Sequence, residues 1–234
     1  MSKSKFSFFR FLVALLVIAA NVAMGAFVYF AWQPRDLSDV DGRDSKVKTA
    51  EVVDILEKIQ AAKNGLYEVT ITEEDLNLYL ASKLKLAQSG VIDEYVDVKG
   101  VYVDLKPDTM EIIIEREINY VDPSAEKGDD KEAASTIPFL PMDNTVSMKL
   151  KIFTTVNEKG ETVRVVEFPG GSFGKAPAPG QFVLAVKDSF DQIAKHFSKE
   201  VDLAYNQMVR LEIGDGFITL DPRREVKEAA APAQ

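Results

Sequence analysis

Residues Phe11 to Trp32 read FLVALLVIAANVAMGAFVYFAW, a run of 22 without a charge in which Asn21 is the only strongly polar side chain. A helix rises about 1.5 Å per residue, so the run spans roughly 33 Å, enough to cross the hydrocarbon core of a bilayer. Its flanks are lopsided: Lys3, Lys5 and Arg10 precede it, whereas Arg35, Asp36, Asp39, Asp41, Arg43 and Asp44 follow. Basic residues are retained on the cytoplasmic side, which predicts a cytoplasmic N-terminus (1–10), one transmembrane helix (11–32) and an extracytoplasmic remainder. Phe11, Leu12, Leu15, Leu16, Ile18 and Phe27 make the anchor, and Tyr29 and Trp32 suit an interfacial aromatic belt. A cleaved signal peptide is the competing reading, with Ala23 and Gly25 as small residues near a cleavage site. The apolar run exceeds the usual signal core, which favours a retained anchor.

All 37 acidic residues lie after position 35, against 24 of the 28 basic ones, so the outer part carries a net charge of −13. Such a surface repels nucleic acid and anionic headgroups, which removes nucleic-acid partners and adhesion through a basic patch. The chain has no cysteine and one histidine. Disulfides, thiolate chemistry, a lipidated N-terminal cysteine and a His-rich metal site are thereby excluded. No cofactor or metal is expected.

The remaining chain is long enough for one domain with its own core. An acidic, solvated linker (33–45) leads to a helix predicted over Lys46–Lys63, with Ser45 as N-cap and Asn64-Gly65 as the stop. A strand (Leu66–Ile71) follows, then a helix opened by Thr72-Glu73-Glu74-Asp75, whose apolar face is Leu76, Tyr79, Leu80, Leu84 and Ala87. From Val96 the period becomes two. Val96–Leu105 and Glu111–Val121 flank the turn Lys106-Pro107-Asp108-Thr109, and a second hairpin turns at Asn157–Gly160. Between them, 122–135 reads as a disordered acidic loop. Phe182, Val186, Phe190, Ile193, Phe197, Val201, Ala204 and Met208 recur at steps of three and four, predicting one long helix of about 28 residues and about 42 Å. A final strand (Leu211–Leu220) turns or bulges at Gly214-Asp215-Gly216, ahead of a flexible tail (222–234). The fold expected for 46–221 is α+β: a curved antiparallel sheet packed in two layers against the long C-terminal helix.

No catalytic constellation emerges. Gly170-Gly171-Ser172-Phe173-Gly174-Lys175 fails the phosphate-loop spacing, because Pro169 and Ala176 stand where a glycine and a hydroxyl are needed, and reads as a flexible connection. The aspartates from Asp36 to Asp44 lack the glycine and distal glutamate of a calcium loop. His196 has no nucleophile tied to it and reads as a boundary residue. Arg116 alternates with Ile112, Ile114 and Ile118 on a core-facing strand face. Either it snorkels to the sheet edge, or it meets an anion or headgroup at the mouth of an apolar groove. Ile137, Phe139 and Leu140, between Pro138 and Pro141, either plug the core or form a partner patch. With Phe182, Phe190 and Phe197 these are the candidate ligand or partner contacts.

The segment Thr70-Ile71-Thr72-Glu73-Glu74-Asp75-Leu76-Asn77-Leu78-Tyr79-Leu80 resembles a short motif of YpmS-like, membrane-anchored extracytoplasmic bacterial proteins, distantly similar to the tubular lipid-binding fold. Within it Thr72 and Asp75 serve as caps and Asn77 bonds nearby backbone. The resemblance implies lipid or partner handling rather than a reaction. The expected protein is thus a single-pass inner-membrane protein whose periplasmic domain binds a hydrophobic ligand or an envelope protein. The alternatives are a structural subunit of an envelope complex and, less favoured, an enzyme.

Overall fold

The computed structural model describes residues 3–43, 53–87, 96–118, 143–156, 162–183 and 187–223. Helix α1 (Lys3–Trp32) is continuous, and its stretch Phe8–Trp32 is long and apolar enough to cross a membrane. It stops where Pro34 biases Gln33 away from helical backbone, and the Gln33 amide closes the last turn on the Phe30 carbonyl at 3.3 Å.

Helix α2 (Ile55–Gly65) begins later than its sequence suggests, because Asp54 caps it by accepting the Glu57 amide at 3.1 Å. Ser45, the expected cap, lies outside the described residues. Leu66, rather than Gly65, takes the left-handed backbone at the C-terminus, with φ 52°. Strand β1 (Val69–Thr72) then enters α3 (Glu73–Ala87), where Thr72 Oγ1 accepts the Asp75 amide at 3.1 Å.

Five strands follow: β2 (Val96–Lys106), β3 (Thr109–Ile118), β4 (Asp143–Val156), β5 (Thr162–Phe173) and β6 (Ala176–Pro179). They form an antiparallel sheet in sequence order, with bulges at Val98/Gly100 and Lys149/Lys151 that bend it. The β2–β3 turn is Pro107-Asp108, with Lys106 paired to Thr109 and Asp108 at φ 60°. The turn expected at Asn157–Gly160, the acidic loop 122–135 and the tail 224–234 lie outside the described residues.

Two expectations are corrected. The glycine- and proline-rich segment is not a loose connection: Phe173 pairs with Ala176 across a two-residue turn, Gly174-Lys175, and β6 runs back along β5. Pro177 and Pro179 are tolerated there because β6 is an edge strand. The single long C-terminal helix is not formed either. Short pieces replace it: α4 (Gly180–Val183), α5 (Lys187–His196), α6 (Ser198–Val201) and a π-helical turn (Asp202–Gln207). Phe197 interrupts the helix with φ −101° and ψ 25°. Beyond it Val201 turns out to solvent, 51% exposed, while Leu203 and Met208 face the core. They are five residues apart, the spacing that an i→i+5 turn brings into line. Arg164 fixes the end of this turn by donating to the carbonyls of Tyr205, Met208 (2.6 Å) and Val209 (2.8 Å).

The last segment turns fully, giving β7 (Arg210–Ile213) and β8 (Phe217–Asp221) in a small sheet of order β1-β8-β7. Its tip is tied to the large sheet: the Gly216 amide donates to the Leu105 carbonyl and the Asp108 amide to the Ile213 carbonyl, each at 3.0 Å. One face of the large sheet (Val101, Val103, Leu105, Ile114, Val146, Met148) packs against Ile59, Ala62, Tyr79, Leu80, Phe190 and Phe197 of the helical layer. The result is α+β with an antiparallel sheet.

Candidate functional site

Among the described residues, the most elaborated polar region is on the other face of the large sheet, where the segment following α1 crosses it. The C-terminal turn of α1 leaves carbonyls with no partner inside the helix. The tip of the β5–β6 hairpin and the start of β4 take them: the Lys175 amide donates to the carbonyls of Phe30 (3.0 Å) and Gln33 (2.9 Å), and Asn144 Nδ2 donates to that of Ala31 (3.0 Å). Gly174 makes this fit, with φ 54° and its own amide on the Thr145 carbonyl at 2.7 Å. A Cβ there would stand 2.2 Å from the Gln33 oxygen and 2.6 Å from that of Ala31.

The segment Gln33–Arg43, read from sequence as a solvated linker, is instead a strap across β4, β3 and β2. The Arg35 amide donates to Thr145 Oγ1 on β4 at 2.9 Å. Leu37 is 1% exposed and packs with Val40 on Ile113 of β3, itself 0% exposed, beside Tyr102. At the far side Arg43 pairs with Glu115 at 3.3 Å. The polar composition hid this, since two apolar residues three apart are enough to cover one isoleucine.

Arg35 is the electrostatic centre of the strap. Its Nη1 lies 2.9 Å from Glu111 Oε1, and its Nη2 lies 3.3 Å from both Asp104 Oδ2 and Asp39 Oδ2. Asp104 and Glu111 face one another across the β2–β3 ladder, and both are buried. Like charges so placed repel, and Arg35 neutralises them with help from Lys106 on Asp104 (3.1 Å) and Lys149 on Glu111 (3.7 Å). Burial opposes the guanidinium charge, but Glu111, then Asp39 and Asp104, outweigh it, so the Arg35 pKa is raised. Ser147 Oγ donates to Glu111 and lies 2.9 Å from Ser172 Oγ. Both carboxylates are held by cations, and Glu111 by a hydroxyl as well, an arrangement that fixes the strap to the sheet.

Two residues of α3, one turn apart, latch the end of the strap. Glu73 accepts the amides of Asp41 (3.0 Å) and Leu105 (2.7 Å). Asn77, 1% exposed, accepts the Val103 amide at 2.7 Å and donates to the carbonyls of Val103 (2.9 Å) and Asp41 (2.8 Å). Asn77 therefore pairs with the open edge of β2 as a neighbouring strand would, and blocks that edge. Burial pushes the Glu73 carboxyl up, the Leu105 and Asp41 amides pull it down, and the net shift is upward.

No family model matches this chain, and no curated protein matches it.

The residues singled out from sequence are dispersed. Phe11, Leu12, Leu15, Leu16, Ile18, Phe27, Tyr29 and Trp32 are exposed along α1. Phe190 and Phe197 are core residues, Phe197 lying 6.4 Å from the Tyr79 ring centroid, and Phe182 falls in α4. Ile137, Phe139 and Leu140 lie outside the described residues. Thr72 caps α3, Asp75 pairs with Lys58 at 3.5 Å, and the backbone that Asn77 bonds is distant in sequence rather than local. Arg116 stands on the core-facing side of β3, half-buried, directly across the ladder from Asn144. Its Nε is sealed from solvent without a hydrogen-bond partner among the described residues, and burial lowers its pKa. His196 is exposed, with its ring edge-on to Phe197 at 5.6 Å.

Arg35, Leu37, Val40, Glu73, Asp104, Glu111, Asn144 and Gly174 are what sequence reasoning missed. The available signal was weak: Asp104 and Glu111 share a strand face with Tyr102 and Ile113, which is more apolar than a solvated face needs to be.

Proposed function

We propose that this is a single-pass inner-membrane protein that holds a non-catalytic α+β domain in a fixed pose on the extracytoplasmic side, where it binds a protein partner of the cell envelope. The observation that carries the reading is the union of α1 with the sheet, through the Phe30, Ala31 and Gln33 carbonyls and the buried Arg35 cluster. A domain on a flexible tether samples many orientations. One bonded to the end of its own membrane helix presents the same surface at the same height, as a subunit of an assembly needs. The described residues between sheet and helices form one packed apolar cluster, which favours a surface role over carriage of lipid in the core. The YpmS-like motif agrees with an anchored, non-catalytic protein.

Two measurements test this. A reporter fused after Gln234 is expected to be active outside the cytoplasm, and activity confined to the interior would end the proposal. Because the chain lacks cysteine, spin labels can be placed at Phe27→Cys on α1 and Lys151→Cys on β4 of the full protein. A narrow distance distribution is expected, whereas the broad one of a free tether would remove the fixed pose.

A second reading, contact with an anionic lipid headgroup, is favoured by Arg116 alone. Its cross-strand neighbour Asn144 bonds the last turn of α1, which on the proposed topology puts the guanidinium near headgroup level.

A further inference from the structure

Asn21 is the only strongly polar side chain between Phe11 and Trp32, and it falls about one residue from the middle of Phe8–Trp32. Its Nδ2 donates to the Val17 carbonyl, one turn back, at 2.8 Å. A side-chain amide has two N–H donors and a carbonyl oxygen, so one donor and the oxygen remain after that bond. In water they would be solvated. At the centre of a bilayer nothing in the lipid can take them, and polar side chains there bond between helices.

The surroundings are open for such a partner. On a helix of 100° per residue, Ala14, Val17, Gly25 and Val28 lie within about 40° of Asn21 and share its face. They are exposed, and a Cβ added at Gly25 would meet nothing within 4 Å. The domain touches α1 at the carbonyls of Phe30 to Gln33, about 13 Å further along the axis, and leaves this face free among the described residues.

The geometry points to self-association: two copies of α1 pack in parallel through this face, with the Asn21 amides bonded reciprocally at the bilayer centre and Gly25 permitting close approach. The inference rests on the membrane-spanning reading of α1. A second copy, rather than another protein, is the occupant that the amide itself specifies. Two copies inserted the same way bring their Asn21 groups to the same depth by identity. A two-fold axis then lets each amide donate to the other's oxygen, since the group is both donor and acceptor. Small residues beside a polar one are how membrane helices achieve close contact.

The test uses the full chain in membranes. Single cysteines at Ala14, Val17 and Val28 are expected to form disulfide-linked dimers on oxidation, and cysteines at Leu12, Ala19 and Ala23, on the opposite face, are not. Asn21→Leu, which keeps α1 apolar and inserted, is expected to weaken dimerisation roughly five- to tenfold by energy transfer between labelled copies, with Asn21→Gln retaining most of it. Crosslinking without helical periodicity, an undiminished Asn21→Leu dimer, or adducts to a different protein in place of dimers would overturn the pairing. A chain that stays in carbonate-washed membranes yet is monomeric overturns the pairing alone. Recovery of the intact chain in the soluble fraction overturns the span and the pairing together.

Discussion

Arg35 Nη1 lies 2.9 Å from Glu111 Oε1, so a residue three positions beyond α1 is ion-paired to β3 of the large sheet. This pair, with Asp104 beside it, converts an acidic stretch into a structural element. It also dictates which residues can be removed. Asp104 and Glu111 are buried and adjacent, so deleting their shared cation leaves two buried negative charges that only the half-exposed Lys106 and Lys149 offset. Removing one partner of a buried pair typically costs more than the pair contributes. Arg35→Ala is expected to destabilise the full chain by about 3 kcal/mol, read by thermal or denaturant unfolding in detergent. Neutralising the acids as well, with Asp104→Asn and Glu111→Gln, should recover much of the loss. A change below about 0.5 kcal/mol for Arg35→Ala, the range of an ordinary surface substitution, would show that the cluster is solvated.

The Gly174 turn is the second point of attachment, and it fails for a steric reason. An alanine there needs left-handed backbone and places its Cβ 2.2 Å from the Gln33 carbonyl oxygen, which is main chain and cannot step aside. Gly174→Ala should broaden the distance distribution between labels at positions 27 and 151, as well as lower stability. Gly216 is the control. Its φ is also positive, at 76°, but a Cβ there meets nothing within 4 Å, so Gly216→Ala should cost only about 1 kcal/mol and leave the label distances unchanged. Equal behaviour of the two variants would refute the docking of α1 on this turn.

Acid should act on the latch and on the small sheet in opposite senses. Burial raises the Glu73 carboxyl above the ordinary value of 4.5, so the folded state binds its proton more readily than the unfolded chain. Such a group stabilises the fold most fully below its unfolded pKa, and that contribution is lost as pH rises through the folded pKa. Asp221 behaves in the reverse way. The Arg223 side chain and amide hold it at about 2, so it adds stability above the ordinary carboxylate range, lost as pH falls from about 4 toward 2. Relative to Glu73→Ala, the wild-type chain should therefore gain stability as pH drops from 7 toward 4.5. Both should lose stability below about 4, through Asp221 and other depressed carboxylates. Titration of a carbon-13-labelled Glu73 carboxyl below 4.5 would contradict the assignment.

How far these features were legible depends on how local their causes are. The β2–β3 hairpin was readable because alternation and the Pro107-Asp108 turn are properties of neighbouring residues. The α3 entry was readable for the same reason, since Thr72 caps an amide three residues on. The strap was not, because Leu37 is buried by Ile113, which lies far along the chain. Gly174-Lys175 looked flexible because glycine signals freedom in sequence, whereas here its missing Cβ makes room for the end of α1. The long helix was over-read because a stripe at steps of three and four cannot reveal a π-helical turn. Its switch to Leu203 and Met208 depends on Arg164, which gathers the carbonyls at the end of that turn. Asn77 was noticed as a polar residue in a helix, but its partner, the edge of β2, could not be named before the sheet was placed.

Arg116 offers a test in which stability and binding move apart. Among the described residues its Nε is desolvated without a hydrogen-bond partner, and so is Asn144 Oδ1, across the ladder. A donor and an acceptor left unmet cost free energy in the unliganded fold, of order 1–3 kcal/mol each. Leucine at 116 would continue the apolar face of Ile112 and Ile114 and remove the guanidinium penalty. Arg116→Leu is therefore expected to raise the stability of the detergent-solubilised full chain by about 1–2 kcal/mol. If the guanidinium meets a headgroup phosphate, the same variant should retain less anionic phospholipid when extracted from membranes and weighed intact by native mass spectrometry, with zwitterionic lipid unaffected. Increased stability with unchanged lipid retention would mark Arg116 as a tolerated defect of the sheet and leave protein–protein contact as the domain's role. Decreased stability would show that the guanidinium is already satisfied in the native protein, and the headgroup reading would then fall.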